Sequence, residues 1–261
     1  MKMELTARYK REAVFHDRIF GDGGRSADRF YAAARASKSF YRQYLTNHAE
    51  KKTVLEYGCG PDSHSALLVP KGAKVTGIDL SIVAVQRYQQ LAGQHQLSEC
   101  VQGCVMNAEE LAFADRSFDL ICGLGILHHL DLQSSLSDVA RILKPNGSAV
   151  FLEPLGHNPL INMYRRLTPG QRTADEHPLL MNDLELARSY FGRIETTHFH
   201  LTSMFALVLR GSRLFPHVLR WCDAFDRMMF MRFKALRKHS WAVAIVMSEP
   251  VQKAQSQTPE P

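Results

Sequence analysis

Val54-Leu-Glu-Tyr-Gly-Cys-Gly60, followed by Val75-Thr-Gly-Ile-Asp79, decides the fold of this chain. The first stretch is apolar up to a carboxylate and then turns on two glycines; the second is apolar and ends on a carboxylate. The pattern reads as a buried strand, a tight glycine turn into a helix, and a second buried strand. Glycines let the backbone approach a ligand closely, and an acid ending the second strand accepts hydrogen bonds from ribose hydroxyls. The pair is a nucleoside cradle. It lacks the third glycine of a dinucleotide fingerprint.

Downstream, short β-branched or apolar runs alternate with helical patterns, the mark of βαβ units and a parallel sheet. Strands are expected near 53–57, 73–79, 99–105, 118–123 and 147–153, with helices near 62–69, 81–95 and 134–143. Lys144-Pro-Asn-Gly147 supplies a turn before the fifth strand. Residues 154–180 break the rhythm with Pro154, Gly156, Pro159, Pro169, Gly170 and Pro178. An insertion there sits at a strand's carboxyl end, where open α/β sheets bind ligands. Helix resumes near 182–191 and strand near 193–201; 204–239 is mostly helical, and an apolar strand spans 241–247. The residues from Pro250 to Pro261 read as a disordered tail.

The first 50 residues are helical and rich in aromatics, among them Tyr9, Phe15, Phe20, Phe30, Tyr31, Phe40, Tyr41 and Tyr44, with a loop at Gly21-Asp-Gly-Gly24. The N-terminus lacks the apolar core of a signal peptide, and no apolar run approaches the ~18 to 20 residues of a spanning helix. The five cysteines (Cys59, Cys100, Cys104, Cys122, Cys222) follow no paired pattern, so free thiols in a reducing cytoplasm are expected. No ligand cluster with metal spacing stands out.

The net charge of +6 is local. Arg210, Arg213, Arg220, Arg227, Arg232, Lys234, Arg237 and Lys238 face only Asp223 and Asp226 within 204–239, which matches the whole excess. A uniformly basic chain would suggest nucleic acid; one basic segment on a neutral domain is a property of one surface. The same segment is rich in Phe, Met, Leu and Trp. That mixture fits an interfacial helix at a membrane, or a dimer interface, or an ordinary cap on the sheet.

The first motif is joined by Asn107-Ala-Glu-Glu-Leu-Ala-Phe113, Ser117-Phe-Asp-Leu-Ile121, Gly125-Ile-Leu-His-His-Leu130 and Arg141-Ile-Leu-Lys-Pro-Asn-Gly147. In this order and spacing they resemble the class I S-adenosylmethionine-dependent methyltransferases, in particular the small-molecule, type 11-like branch. The resemblance covers roughly residues 50–155. It implies an α/β fold: a Rossmann-like, seven-stranded, mostly parallel sheet with helices on both faces, the last strand antiparallel and supplied by 241–247. Residues 1–50 become a helical lid and 51–153 the cofactor-binding core. Residues 154–249 add the acceptor-side insertion, a helical insertion before the last strand and the final strands, and 250–261 form the tail.

The resemblance also implies site residues. Glu56, Gly58, Cys59 and Gly60 would floor the methionine and ribose side, although Cys59 reads most simply as packing. Asp79 would hold the ribose hydroxyls, with Leu80 against the adenine and Asn107 and Ala108 at its edge. Gly123, Leu124 and the rest of 123–126 would back the methionine moiety. Two positions depart from the family: Asp62 stands where the glycine loop has a small residue, and Asn107 replaces an acid, though its carbonyl can accept the same bond. Asp119 reads as structural.

A sulfonium is a strong electrophile, so the chemistry is direct in-line displacement, with orientation and exclusion of water as the protein's task and no metal required. His128 and His129, after the fourth strand, and Glu153, at the end of the fifth, are the candidate catalytic residues; either imidazole could take the acceptor's proton, or serve as framework. His157 and His177 lie in the insertion. An aromatic and methionine-rich lid with Met163, Tyr164, Arg165, Arg166 and Arg172 suits an apolar or aromatic acceptor, methylated at oxygen before carbon or nitrogen. Two other readings stand beside this one. For a nucleic-acid methyltransferase, Asn158-Pro-Leu160 lacks the aromatic of a base-flipping motif and falls after the wrong strand. A non-catalytic S-adenosylmethionine-binding protein is the third reading. The expected location is cytoplasmic, or peripheral to a membrane.

Overall fold

The computed structural model describes residues 2–21, 32–60, 64–168 and 176–251. Expectations resting on Asp22–Gly24 of the first loop, Phe30, Tyr31, Asp62, Pro169, Gly170, Arg172 and the tail from residue 252 onward lie outside those residues, as does the side chain of Phe20.

Seven strands form one sheet: β1 (Thr53–Tyr57), β2 (Lys74–Asp79), β3 (Val101–Val105), β4 (Phe118–Leu124), β5 (Leu143–Pro154), β6 (Phe191–Phe199) and β7 (Ala242–Pro250). Their order is β3-β2-β1-β4-β5-β7-β6. All pairs are parallel except those made by β7, which runs antiparallel to both β5 and β6. The sequence-based expectation of seven strands with an antiparallel last one is met. The strand order reverses between β1 and β4, which opens a crevice at the carboxyl ends of these strands.

Alternation along each strand divides the core between two faces. On one, Leu55, Tyr57, Ile121 and Phe151 pack with Leu136 and Val139 of helix α5 (Leu132–Ile142). On the other, Val54, Val75, Cys122 and Val150 meet Tyr41 and Leu45 of α2 (Arg35–His48) and Tyr88 and Ala92 of α4 (Ile82–Gln94). Because both faces are covered, the central strands are nearly continuous apolar runs. Phe40, Tyr41 and Tyr44 therefore belong to the sheet face and not to the acceptor edge. Of the N-terminal segment, α1 (Lys2–Gly21) is the helix that reaches the carboxyl ends of the strands.

Boundaries moved where tertiary pairing competes with local signals. Phe118 lies opposite Leu143 and Leu120 opposite Ser148, so Lys144–Gly147 is a bulge within β5 and not a turn preceding it. Asp119 explains the bulge: its Oδ2 accepts Lys144 Nζ at 2.8 Å and the Thr53 N–H at 3.0 Å, tying the entries of β1, β4 and β5 together. The helix expected from 62 onward is described as a short turn, α3 (Ser65–Leu68), continued by a 3-10 turn at Val69–Lys71. Pro250 is in β7, opposite Phe191, and so does not begin the tail.

The insertion after β5 contains a helix that its prolines disguised: α6 (Pro159–Leu167). Asn158 caps it, accepting the Leu160 and Ile161 N–H groups at 3.0 and 3.2 Å, and Pro159 takes the first helical position, where its missing N–H costs nothing. Then come α7 (Met181–Ala187), a 3-10 turn at Ser203–Leu209, α8 (Phe215–Arg232) and a 3-10 turn at Lys234–His239. No helix among the described residues is long and apolar enough to cross a membrane. The five cysteines are free.

Candidate active site

The two opening motifs meet at the crevice. Asp79 Oδ2 accepts the Gly60 N–H at 3.0 Å and Oδ1 the Ser81 N–H at 2.9 Å. A carboxylate offers about four acceptor positions, so capacity remains for a hydroxyl group. Burial pushes the Asp79 carboxyl up from its ordinary value, against the pull of those N–H groups and of His16. Gly60, at φ +54°, has nothing among the described residues within 4 Å of where a Cβ would lie. Its surface is open.

Gly58 is different. At φ +69° its missing Cβ would fall 2.7 Å from Ile126 Cγ1, and a Cβ on Gly123 would fall 2.6 Å from Phe151 and 2.8 Å from Ile126. Both glycines let Ile126 settle between β1 and β4. Cys59 is buried in the core with its N–H donated to Ile78 O, so only its backbone faces the turn.

Glu56 is buried, and its oxygens are spoken for within the protein. Oε1 accepts the His64 N–H at 2.7 Å and lies 3.0 Å from His64 Nδ1, while Oε2 accepts the Tyr88 hydroxyl at 2.6 Å. It organises the chain beyond the glycine turn. Asn107 Oδ1 accepts the Glu109 N–H at 3.0 Å, which leaves its second lone pair and its NH2 group at the end of β3. Ala108 O accepts the buried Tyr57 hydroxyl. Leu124 is exposed and Leu80 half-buried at the same mouth.

Helix α1 lies across this edge with polar side chains. Arg8 and Tyr9 both donate to Glu109, the latter at 2.8 Å, and Glu109 Oε1 also accepts the Asp131 N–H at 2.8 Å. Asp17 accepts the Ser81 hydroxyl and the Val83 N–H at the start of α4. The expected aromatic cover is thus largely a set of ion pairs and caps.

On the acceptor side, Glu153 orders the turn after β4. Its Oε1 accepts the Ile126 and Leu127 N–H groups, each at 2.9 Å, and its Oε2 lies 2.7 Å from His128 Nδ1. Glu176, from the insertion, lies 3.6 Å from His128 Nε2, and the His177 N–H is donated to His128 O. Burial alone would depress the His128 imidazolium, but hydrogen bonds to Glu153 and Glu176 overcome it and raise the pKa to about 9. His129 goes the other way: burial lowers its pKa despite Glu12, whose Oε2 is 3.5 Å from His129 Nδ1. Ligand-type atoms of Glu12, His16 and His129, and of His128, His129 and Glu176, lie within 4.8 Å of one another in each trio. That spacing would admit a divalent ion.

Residues 55–151 match the family model described as a methyltransferase domain. Over these residues the chain is similar to a class I methyltransferase domain. The family uses S-adenosylmethionine, and an open glycine turn against a strand-end carboxylate suits that nucleoside. Its curated relatives include the malonyl-[acyl-carrier protein] O-methyltransferase of Pseudescherichia vulneris, 31% identical over 49% of this chain and 50% of the relative. The demethylmenaquinone methyltransferase of Chlorobaculum tepidum is 32% identical over the same shares. The chain spans about half the length of the curated relatives it matches. Among solved structures, the geranyl diphosphate C-methyltransferase of Streptomyces coelicolor A3(2) superposes with a TM-score of 0.62 over 93% of this chain and 98% of that one, at 13% identity. That likeness extends the fold beyond the matched domain to the insertion and the last strands.

The motifs of this methyltransferase domain also acquire local reasons. Arg141 binds Leu111 O and Phe113 O at 2.8 and 2.7 Å and pairs with Asp115 and Asp138, clamping the segment after β3. Among the residues with no role in the sequence reading are Glu12, Glu109, His64 and Glu176. Glu12 and His16 stand one helical turn apart, and Glu109 lies inside the Asn107–Phe113 motif, so a signal existed for these two. Nothing local distinguishes Glu176. His157 accepts the Met181 N–H at 3.2 Å and so caps α7, which accounts for it structurally.

Proposed function

We propose that this chain transfers a methyl group from S-adenosylmethionine to a small lipophilic acceptor, at oxygen, by direct in-line displacement. The observation that carries it is the Asp79–Gly60 pairing, a carboxylate with unused acceptor positions at the mouth of an open glycine turn. When bound, the cofactor supplies a methyl group on a positively charged sulfur. Asp79 holds the ribose hydroxyls; Leu80, Asn107 and Ala108 border the adenine; Glu56, Gly58, Cys59, Gly60, Gly123 and Leu124 shape the remainder. Helix α1, pinned at Glu109 and Ser81, keeps water from the reacting groups.

His128 is mostly an imidazolium at neutral pH and both of its nitrogens face carboxylates, so it positions and does not accept a proton. His129 is mostly neutral at that pH. Its Nδ1 stands 3.5 Å from Glu12 Oε2, and its Nε2 lone pair takes the proton of a hydroxyl acceptor as the new bond forms. Glu153 acts through His128 and the turn. An apolar acceptor is supported by α6, which turns Leu160, Met163 and Leu167 to solvent at the acceptor side, and by relatives named for demethylmenaquinone and for ubiquinone biosynthesis, the latter as O-methyltransferases.

The test is a screen of lipophilic phenols and quinols for methyl transfer from S-adenosylmethionine, with S-adenosylhomocysteine calorimetry on two variants. Asp79→Ala should lose affinity by about 100-fold or more; unchanged affinity would overturn the cofactor site. His129→Ala should keep affinity and lose turnover by about 100-fold or more.

A further inference from the structure

Helix α8 has two faces of opposite character. Inward, Leu219, Asp226 and Phe230 are buried. Asp226 accepts the Leu201 and Thr202 N–H groups at 2.9 Å and the Thr202 hydroxyl at 2.6 Å, and Asp223 sits 3.7 Å from His200 Nδ1. Both acids of the helix are turned into the protein. Outward, Arg220 and Arg227 are exposed, as are Arg213 just before the helix and Lys234 just after it. Their neighbours 214, 221 and 228 are Leu, Trp and Met, exposed by 61, 80 and 51%. Within the helix, Arg220 and Arg227, and likewise Trp221 and Met228, are seven residues apart, which keeps each pair on one side with a drift of only about 20°. An apolar stripe thus runs along solvent beside a basic one, with Phe225 and Met231 widening the apolar side. A helix that merely caps a sheet shows polar residues there.

We propose that α8 docks the protein on an anionic lipid surface. Trp221, Leu214 and Met228 enter the headgroup boundary, and Arg213, Arg220 and Arg227 meet lipid phosphates. Charge selects this occupant over a second copy of the chain, because a two-fold contact through this face would set the basic rows against each other. The position also fits. β6 runs parallel to β5, so the connection carrying α8 leaves the sheet at the end where Glu153 and the acceptor side lie. Asn158 Nδ2 donates to His239 O at 2.7 Å, joining the start of α6 to the end of this connection. Docking through α8 brings the acceptor side toward the bilayer, and it does not depend on which acceptor is methylated.

The experiment is flotation of the full chain with vesicles of phosphatidylcholine alone and with an equal share of phosphatidylglycerol, at low salt. The anionic vesicles should bind about 100-fold more tightly, with loss of binding as salt rises. Binding should shift Trp221 emission to the blue, and Trp221→Phe should lack that shift while Trp241 remains. Arg213→Glu, Arg220→Glu and Arg227→Glu together should cost about 100-fold or more in vesicle affinity. All three side chains are exposed, so the circular dichroism spectrum should not change. Failure to float with anionic vesicles, binding that the triple reversal leaves intact, or a dimer in sedimentation that buries Trp221 would each overturn the proposal.

Discussion

Glu153 Oε2 lies 2.7 Å from His128 Nδ1 while its Oε1 accepts the N–H groups of Ile126 and Leu127. One buried carboxylate therefore fixes both the imidazole and the turn that carries it. Burial opposes the His128 charge, and the carboxylates restore it. In Glu153→Gln the burial effect is expected to prevail, so the His128 pKa should fall from about 9 by roughly two units or more. Proton NMR of the His128 ring across pH reads this directly. A pKa that stays near 9 would assign the charge to Glu176 alone.

Two glycines of one motif should fail in different ways. Gly58→Ala combines a positive φ with a Cβ 2.7 Å from Ile126 Cγ1. Strain and overpacking together should cost about 2 to 4 kcal/mol of stability in urea unfolding. Gly60→Ala meets no atom of the described residues within 4 Å and should cost about 1 to 2 kcal/mol, but its methyl group projects into the cradle. S-adenosylhomocysteine affinity should fall in Gly60→Ala. Equal stability losses in the two variants would show that the Ile126 contact does not matter.

Glu109 gathers Arg8, Tyr9 and the Asp131 N–H. Removing its charge in Glu109→Gln should loosen α1 without unfolding the sheet, since the bonds it makes join the helix to the edge. Amide exchange over residues 7–18 should accelerate about tenfold or more, with the strands unaffected. Exchange that quickens equally in β1 and β4 would mean that α1 and the sheet open as one unit.

His198 and His200 are both held near a pKa of about 4, by burial in each case and for His198 also by Arg237. As pH falls below about 6.5 the unfolded chain takes up protons that the folded chain resists, so stability falls between about 6.5 and 4. His128 acts oppositely: its raised pKa adds stability that is complete below about 6.5 and lost as pH rises toward 9. The unfolding midpoint should therefore peak near pH 6.5 to 7 on these three groups. His198→Gln should flatten the acid limb by about 1 to 3 kcal/mol while leaving the alkaline limb in place.

The seven strands and the crevice were legible because their signals are local. Val54–Gly60 and Val75–Asp79 each announce burial, a turn and a carboxylate within a few residues, and β7 shows as a short apolar run. Pairing moved the ends: Lys144-Pro-Asn-Gly147 is chemically a turn, yet Asp119 draws Lys144 into a bulge of β5. Helix α6 was hidden by reading Pro159 as a breaker, when Asn158 before it makes the pair a start signal.

By itself, then, the sequence determined the sheet, because hydrophobic period, glycine turns and strand-end acids are written in neighbouring residues, and the order of its motifs carried the resemblance that named the cofactor. Only the tertiary structure decided what the site's groups are. Glu56 turned inward to His64 and Tyr88, Gly58 made room for Ile126, and adjacent histidines were driven apart in charge, His128 by Glu153 and Glu176, residues 25 and 48 positions away, and His129 by burial that Glu12 does not offset. The same holds for α8, where composition showed apolar and basic residues together, but only packing against Leu201 and Thr202 turned its acids inward and left its arginines outside. Proton affinity and exposure depend on distances across the fold, and no local pattern encodes them.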